Sequence, residues 1–121
     1  MRKLDQKHIQ WLENNFPGRY TIDPRERSMY SHDIGSIPAT IRPFLGNTTP
    51  SAVVQPVSEE EVQKPIKWAL SERIPLVPRG KSTSSYGGVL PVKGVIVVDF
   101  CRMAEVIEVK DDTVTVHSGI S

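Results

Sequence analysis

Apolar residues recur along this chain in two rhythms, one helical and one extended, separated by a long stretch in which neither survives. Ile9, Leu12 and Phe16 share one face of a helix that the pattern predicts from Asp5, its N-cap, to about Asn15, where Pro17-Gly18 stops it. Leu4 and Ile9 are spaced as a hydrophobic staple around that start. From Arg19 to Pro50 the rhythm fails, because Pro24, Gly35, Pro38, Pro43, Gly46 and Pro50 interrupt every candidate element. Tyr20, Ile22, Met29, Tyr30, Ile34, Ile41, Phe44 and Leu45 supply too much apolar surface for a disordered linker, so the stretch reads as ordered but irregular.

The pattern sharpens after Pro50. Ala52-Val53-Val54-Gln55-Pro56 predicts a short buried strand, and Ser58 with Glu61 predicts a capping box at the start of a helix. Glu59, Glu60 and Glu61 occupy the first turn, where the helix dipole favours negative charge. Val62, Ile66, Ala69 and Leu70 predict the buried face, and Pro65 predicts a kink. Ile74 to Pro78 reads as a second strand, so Ala52 to Val77 forms a strand-helix-strand unit expected to be parallel with a right-handed crossover. Val95 to Asp99, Ala104 to Lys110 and Thr113 to His117 predict further strands, the last two joined by a turn at Asp111-Asp112. Val114 and Val116 alternate with Thr113, Thr115 and His117, which predicts one buried face and one polar face.

Composition changes this picture little. The 121 residues, 38% hydrophobic and 24% charged, suit a soluble globular chain with one modest core. A net charge of +1 argues against general nucleic-acid binding, so any anion site is local. One cysteine, Cys101, excludes an internal disulfide and a cysteine-cluster metal site, and its setting predicts a small buried side chain. No apolar stretch follows Met1 to Gln6 and no run reaches membrane-helix length, so the expectation is a cytoplasmic protein without a membrane segment. The strand closing at Ser118-Gly119 leaves a sheet edge open, from which truncation is expected. His8, His32 and His117 form no recognisable constellation and read as surface residues, with His117 the best placed for chemistry. No metal site is expected, and Trp11 and Trp68 read as packing residues on the two helices.

The candidate chemistry lies in one loop. Pro78, Arg79, Gly80, Lys81, Ser82, Thr83, Ser84, Ser85, Tyr86, Gly87 and Gly88 follow a parallel strand, where open α/β sheets place their ligands. Gly80, Gly87 and Gly88 let the main chain turn and bring amide N–H groups close to an anion. The hydroxyls of Ser82, Thr83, Ser84 and Ser85 add donors, while Arg79 and Lys81 add positive charge. Gly80-Lys81-Ser82 does not make a nucleoside-triphosphate loop, because the glycine required five positions earlier is Pro75 and no helical pattern follows. No G-x-G-x-x-G is present for a Rossmann nicotinamide site.

These blocks resemble the FAD-binding domain of the vanillyl-alcohol oxidase and p-cresol methylhydroxylase (PCMH) type, in particular its glycolate oxidase and D-lactate dehydrogenase branch. The resemblance rests on Tyr30-Ser31-His32-Asp33, Ala52 to Pro56 with Ser58 to Val62, Ile74 to Gly80, Gly87-Gly88 with Pro91, and Val114 to Ile120. It implies an α+β fold, residues 1–50 being an N-terminal helix with an irregular extension and 51–121 the first half of the FAD-binding domain. It implies that the Pro78 to Gly88 loop wraps the FAD pyrophosphate and that Ser118 and Gly119 approach the cofactor. Some members attach the flavin through a histidine in this loop; this loop has none, so non-covalent FAD is expected. The full enzyme is then expected to oxidise a small 2-hydroxy acid by hydride transfer to flavin N5 and to pass electrons to an acceptor other than nicotinamide, or to an iron–sulfur partner. Two alternatives stay open: a UDP-N-acetylenolpyruvoylglucosamine reductase-like flavoenzyme using NADPH, and a non-catalytic fragment of the same fold. Catalytic residues are expected beyond Ser121, so none is named.

Overall fold

The computed structural model describes residues 3–35, 37–92 and 94–121, so Met1 and Arg2 of the segment read for a leader lie outside it. Its first helix, α1 (Gln6–Asn15), starts where expected, with the Asp5 carboxylate accepting the His8 N–H at 3.0 Å. His8 completes the cap from the other side, its Nδ1 accepting the Asp5 N–H at 3.1 Å. The surface role expected for His8 is corrected here, because the ring is buried. Its Nε2 lies 3.2 Å from a Glu72 carboxylate oxygen at the end of α4 (Glu59–Glu72), and its edge meets Trp68. A capping position turned toward a second helix thereby becomes a tie between two helices. Trp11 and Trp68 stack face to face, 4.1 Å between ring centroids, and fill the same seam.

Strands β1 (Tyr20–Thr21), β2 (Ala52–Val54), β3 (Leu76–Arg79) and β4 (Ile96–Asp99) form one sheet in the order β1-β2-β4-β3. The expected parallel relation of β2 and β3 holds, but the two are not neighbours: each pairs in parallel with β4, which enters between them. β4 is buried along its whole length, so the central position suits it. Leu12, Phe16, Trp68 and Ala69 from the helices pack on Ala52, Val54, Ile96 and Val98 from the sheet in one core. Val53 and Val97, of opposite parity, point to the other face and are also buried. The irregular stretch contributes β1 and two short helices, α2 (Pro24–Ser28) and α3 (Arg42–Leu45). β1 was not legible as a strand because two residues carry no periodicity.

The α4 face differs from the expected one. Pro65, Trp68 and Ala69 are buried, whereas Ile66 and Leu70 are 51% and 80% exposed. The broad Trp68 ring, stacked on Trp11, orients the helix and turns Ile66 and Leu70 outward. The helix stays continuous through Pro65. Only half of the expected capping box forms: Ser58 Oγ accepts the Glu61 N–H at 3.3 Å, while the Glu61 carboxylate turns to the Val57 N–H at 2.9 Å and to Arg19. Arg19 grips it with two N–H groups, one at 2.7 Å, and donates to the Gln55 carbonyl at 3.2 Å. An isolated fork of this kind joins the β1 approach to the helix start.

The last strands, β5 (Val106–Val109) and β6 (Val114–Val116), form the expected hairpin, with the Lys110 N–H donating to the Thr113 carbonyl across the turn. The buried face expected for Val114 and Val116 is not there. The apolar hairpin residues Val106, Ile107, Val109, Val114 and Val116 are between 39% and 69% exposed, because the hairpin is a separate two-stranded sheet outside the helix-covered layer. Cys101 is likewise exposed, contrary to expectation, since β4 ends at Asp99 and the cysteine lies in the turn beyond it. Among the described residues, no helix is long and apolar enough to cross a membrane.

Two stability predictions follow from α4. The Arg19 guanidinium holds the Glu61 carboxyl down at about 2 against an ordinary 4.5. Unfolded chains take up that proton first, so the stabilisation is present above about pH 4.5 and is lost as pH falls through about 2. Glu61→Gln is expected to flatten the acid limb of a thermal melting series and to cost about 1–3 kcal/mol at neutral pH. At the other end Arg73 caps the helix in the left-handed region, φ 54 and ψ 44. Arg73→Gly relieves that strain and is expected to raise stability by roughly 0.5–1 kcal/mol in urea unfolding.

Candidate functional site

Three parallel strands run in one direction, so their carboxyl ends share one edge of the sheet. β3 carries Pro78 and Arg79 as its last residues, and Arg79 pairs with Asp99 at the end of β4. The loop proper is therefore Gly80 to Gly88. The Ser118 carbonyl lies 3.5 Å from where a Gly80 side chain would begin. Gly119 donates its N–H to the Met103 carbonyl at 2.9 Å and sits so close to the β4 exit that an added Cβ would lie 1.8 Å from the Phe100 carbonyl oxygen. The structure thus brings Ser118-Gly119 to the start of the loop.

Within the loop the main chain is neither helix nor strand. Among the described residues, the N–H groups of Gly80, Lys81, Ser82, Thr83, Ser84, Ser85 and Gly88 have no acceptor in the chain. The Tyr86 N–H donates to Ser84 Oγ at 3.3 Å, and the Gly87 N–H donates to Asp33 Oδ2 at 2.9 Å. The conformational role expected of the glycines falls differently: Gly87 has φ 77, Gly80 and Gly88 do not need the left-handed region, and Ser82 enters it at φ 56. Ser82 Oγ is buried without a partner, a hydroxyl that lacks a mate inside the chain. Lys81 and Thr83 to Ser85 are exposed, and the Tyr86 ring is 96% exposed at the tip.

Under the loop lies a polar network that sequence reasoning did not identify. Tyr30 Oη donates to Asp99 Oδ2 at 2.7 Å, Gln55 Nε2 donates to the same oxygen at 3.1 Å, and the Cys101 N–H donates to Oδ1 at 3.0 Å. Arg102 Nε donates in turn to Gln55 Oε1 at 2.8 Å. Burial and the hydrogen bond to Asp99 push the Tyr30 phenol up to about 12. The Arg79 guanidinium lies over the Tyr30 ring, 5.1 Å from its centroid, and donates to the carbonyls of Tyr30 and His32 at 3.1 and 3.0 Å. Burial lowers the Arg79 pKa while Asp99, Tyr30 and Asp33 oppose the shift. Arg79 is thus a clamp on residues 30–32 as well as a source of charge. The signal for Asp99 was a lone carboxylate closing an apolar run; for Tyr30 and Asp33 it was their shared block, Tyr30-Ser31-His32-Asp33.

His117 lies beside Ser118 in a cleft of 330 Å³ with Phe100, Met103 and Ile107, and its Nδ1 faces the Glu105 N–H at 3.4 Å. His32 contributes its carbonyl to Arg79. Among the described residues, no group of three His, Cys, Asp or Glu is placed to hold a metal ion.

A comparison with protein families matches residues 50–121 to the FAD binding domain. The chain belongs to this FAD binding domain family. Its cofactor is FAD, and the buried, unpartnered Ser82 hydroxyl with the free amides around it fits an anionic group of that kind. The mitochondrial D-lactate dehydrogenase (cytochrome) of Arabidopsis thaliana is 41% identical over 121 residues, 98% of this chain and 20% of that protein. The glycolate oxidase subunit GlcD of Bacillus subtilis strain 168 is 33% identical over 73 residues, 59% of this chain and 16% of that protein. The chain therefore spans about a fifth of the length of these relatives. The crystal structure of p-cresol methylhydroxylase with substrate bound superposes with a TM-score of 0.78 at 19% identity, covering 95% of this chain and 22% of that one. The fold is thus the PCMH-type one that the resemblance implied.

The two glycines at the far end of the loop and beside its start respond differently to an added methyl group. Gly119→Ala forces a Cβ into the Phe100 carbonyl and is expected to cost more than about 3 kcal/mol. Gly88→Ala meets open space and is expected to stay within roughly 0.5 kcal/mol of the parent. Thermal unfolding followed by circular dichroism checks both.

Proposed function

We propose that this chain is the cofactor-holding part of a flavin-dependent oxidoreductase that oxidises a small 2-hydroxy acid. In this reading Pro78 to Gly88, with Ser118 and Gly119, seat the FAD diphosphate, and residues 51–121 form the first half of the FAD-binding domain onto which 1–50 packs. The supporting observation is the run of unpaired N–H groups from Gly80 to Ser85 around the unpartnered Ser82 hydroxyl. Each is a donor whose alternative is water, and a diphosphate offers anionic oxygens that make stronger, charge-assisted bonds.

Pro78 and Arg79 deliver the chain from β3 at a fixed angle, and Arg79 holds that angle by its grip on residues 30–32. Lys81, exposed at the loop's start, adds a positive charge that water screens only in part. Thr83, Ser84 and Ser85 present hydroxyls, and Ser118-Gly119 closes the near side where only a glycine fits. The loop contains no histidine, which supports a non-covalent seat. When bound, FAD supplies the hydride acceptor for oxidation at the hydroxyl-bearing carbon. The two relatives named for D-lactate and glycolate support a 2-hydroxy acid as the substrate class. An electron acceptor or iron–sulfur partner takes the electrons onward in this reading.

Titration of the chain with FAD, followed by the change in flavin fluorescence, tests the seat. Saturable binding is expected, weakened about tenfold by Lys81→Glu and about threefold by Ser82→Ala. Absence of saturable binding, or variants indistinguishable from the parent, contradicts the reading.

A further inference from the structure

We propose that Asp33 is the positioning residue of the cofactor loop, a role that rests on the FAD reading above. Its carboxylate is buried, 8% exposed, and each oxygen is engaged: Oδ2 accepts the Gly87 N–H at 2.9 Å and Oδ1 accepts the Gly35 N–H at 2.8 Å. Through Gly87, held at φ 77, it fixes the far end of the loop. The turn that Asp33 folds at Gly35 also presses on the loop's middle, because a Cβ at Gly35 would lie 2.6 Å from the Ser85 carbonyl oxygen and 2.9 Å from its Cα. The near end is fixed by Arg79, which holds the carbonyls of Tyr30 and His32, just before Asp33. One short segment, residues 30–35, therefore braces the loop at its start, middle and end. It lies outside residues 50–121, the part that matches the family.

A carboxylate beside an anion seat repels the anion. Its burial there is understandable if the order it imposes on the loop outweighs that repulsion, since a pre-shaped donor array binds without first losing conformational freedom. The two effects have opposite signs. If Asp33 acts only as a nearby charge, removing it tightens FAD binding; if it positions the loop, removing it weakens binding.

The test uses the chain with Asp33→Ala, Asp33→Asn and Gly35→Ala, reading FAD affinity by fluorescence and, without FAD, hydrogen exchange at the Gly87 amide. Asp33→Ala is expected to weaken FAD about tenfold and to speed Gly87 exchange by about tenfold or more. Asp33→Asn keeps one acceptor and is expected to fall between this variant and the parent. Gly35→Ala, with the carboxylate intact, is expected to weaken FAD by displacing Ser85. Unchanged or tighter FAD binding in folded Asp33 variants overturns the proposal. Should Asp33→Ala fail to fold, unchanged affinity and exchange in Gly35→Ala overturn it instead. A parent that never binds FAD sinks the cofactor reading, and Gly87 exchange then decides the positioning role alone, with unchanged exchange counting against it.

Discussion

Hydrogen-bond donors left without acceptors govern this structure. From Gly80 to Ser85 the main chain offers N–H groups that no described part of the chain accepts, and the Ser82 hydroxyl is closed off from solvent without a mate. Main-chain donors are normally paired, because folding exchanges each bond to water for one within the protein. A run of unpaired ones is tolerable only at the surface or beside a ligand that accepts them. The loop stands at the carboxyl edge of parallel strands, the edge at which open sheets of this kind bind ligands.

Everything beneath the loop resists its collapse. The helix layer seals one face of the sheet through the Trp11–Trp68 stack and the buried His8 tie to Glu72, and β4 runs buried through the centre. At the end of β4, Asp99 gathers Tyr30, Gln55 and the Cys101 amide, so the strand exit is cross-linked to the segment between β1 and β2 and to the exit of β2. Arg79 completes the frame from the neighbouring strand. The Asp99 carboxylate is fully engaged by its neighbours, whereas the amides from Gly80 to Ser85 are not, a contrast that separates scaffold from candidate site.

Much of this was legible from residue pattern. Asp5 and Ser58 marked helix starts, the apolar runs at Ala52, Ile74 and Val95 marked the parallel strands, and glycine and serine between Gly80 and Gly88 marked the loop. The failures share one cause: a local pattern does not reveal what a distant residue offers. Ile66 and Leu70 fit a helical stripe, yet the Trp68 stack set the buried face. Val114 and Val116 alternate as a half-buried strand does, yet their hairpin stands outside the covered layer. Glu61 fits a capping box, yet Arg19, far away in sequence, makes the stronger bond. His8 read as a surface residue until Glu72 and Trp68 closed over it, and Asp33 showed its part only when Gly87 was brought beside it.

The central claim is that the free amides of this loop donate to the cofactor's diphosphate. Amide chemical shifts of the isotopically labelled chain, recorded as FAD and then inorganic pyrophosphate are added, test it residue by residue. The account predicts that both ligands move the Gly80 to Ser85 amides most, with Ser118 and Gly119 following. FAD binding that leaves those amides in place while shifting residues elsewhere would contradict it.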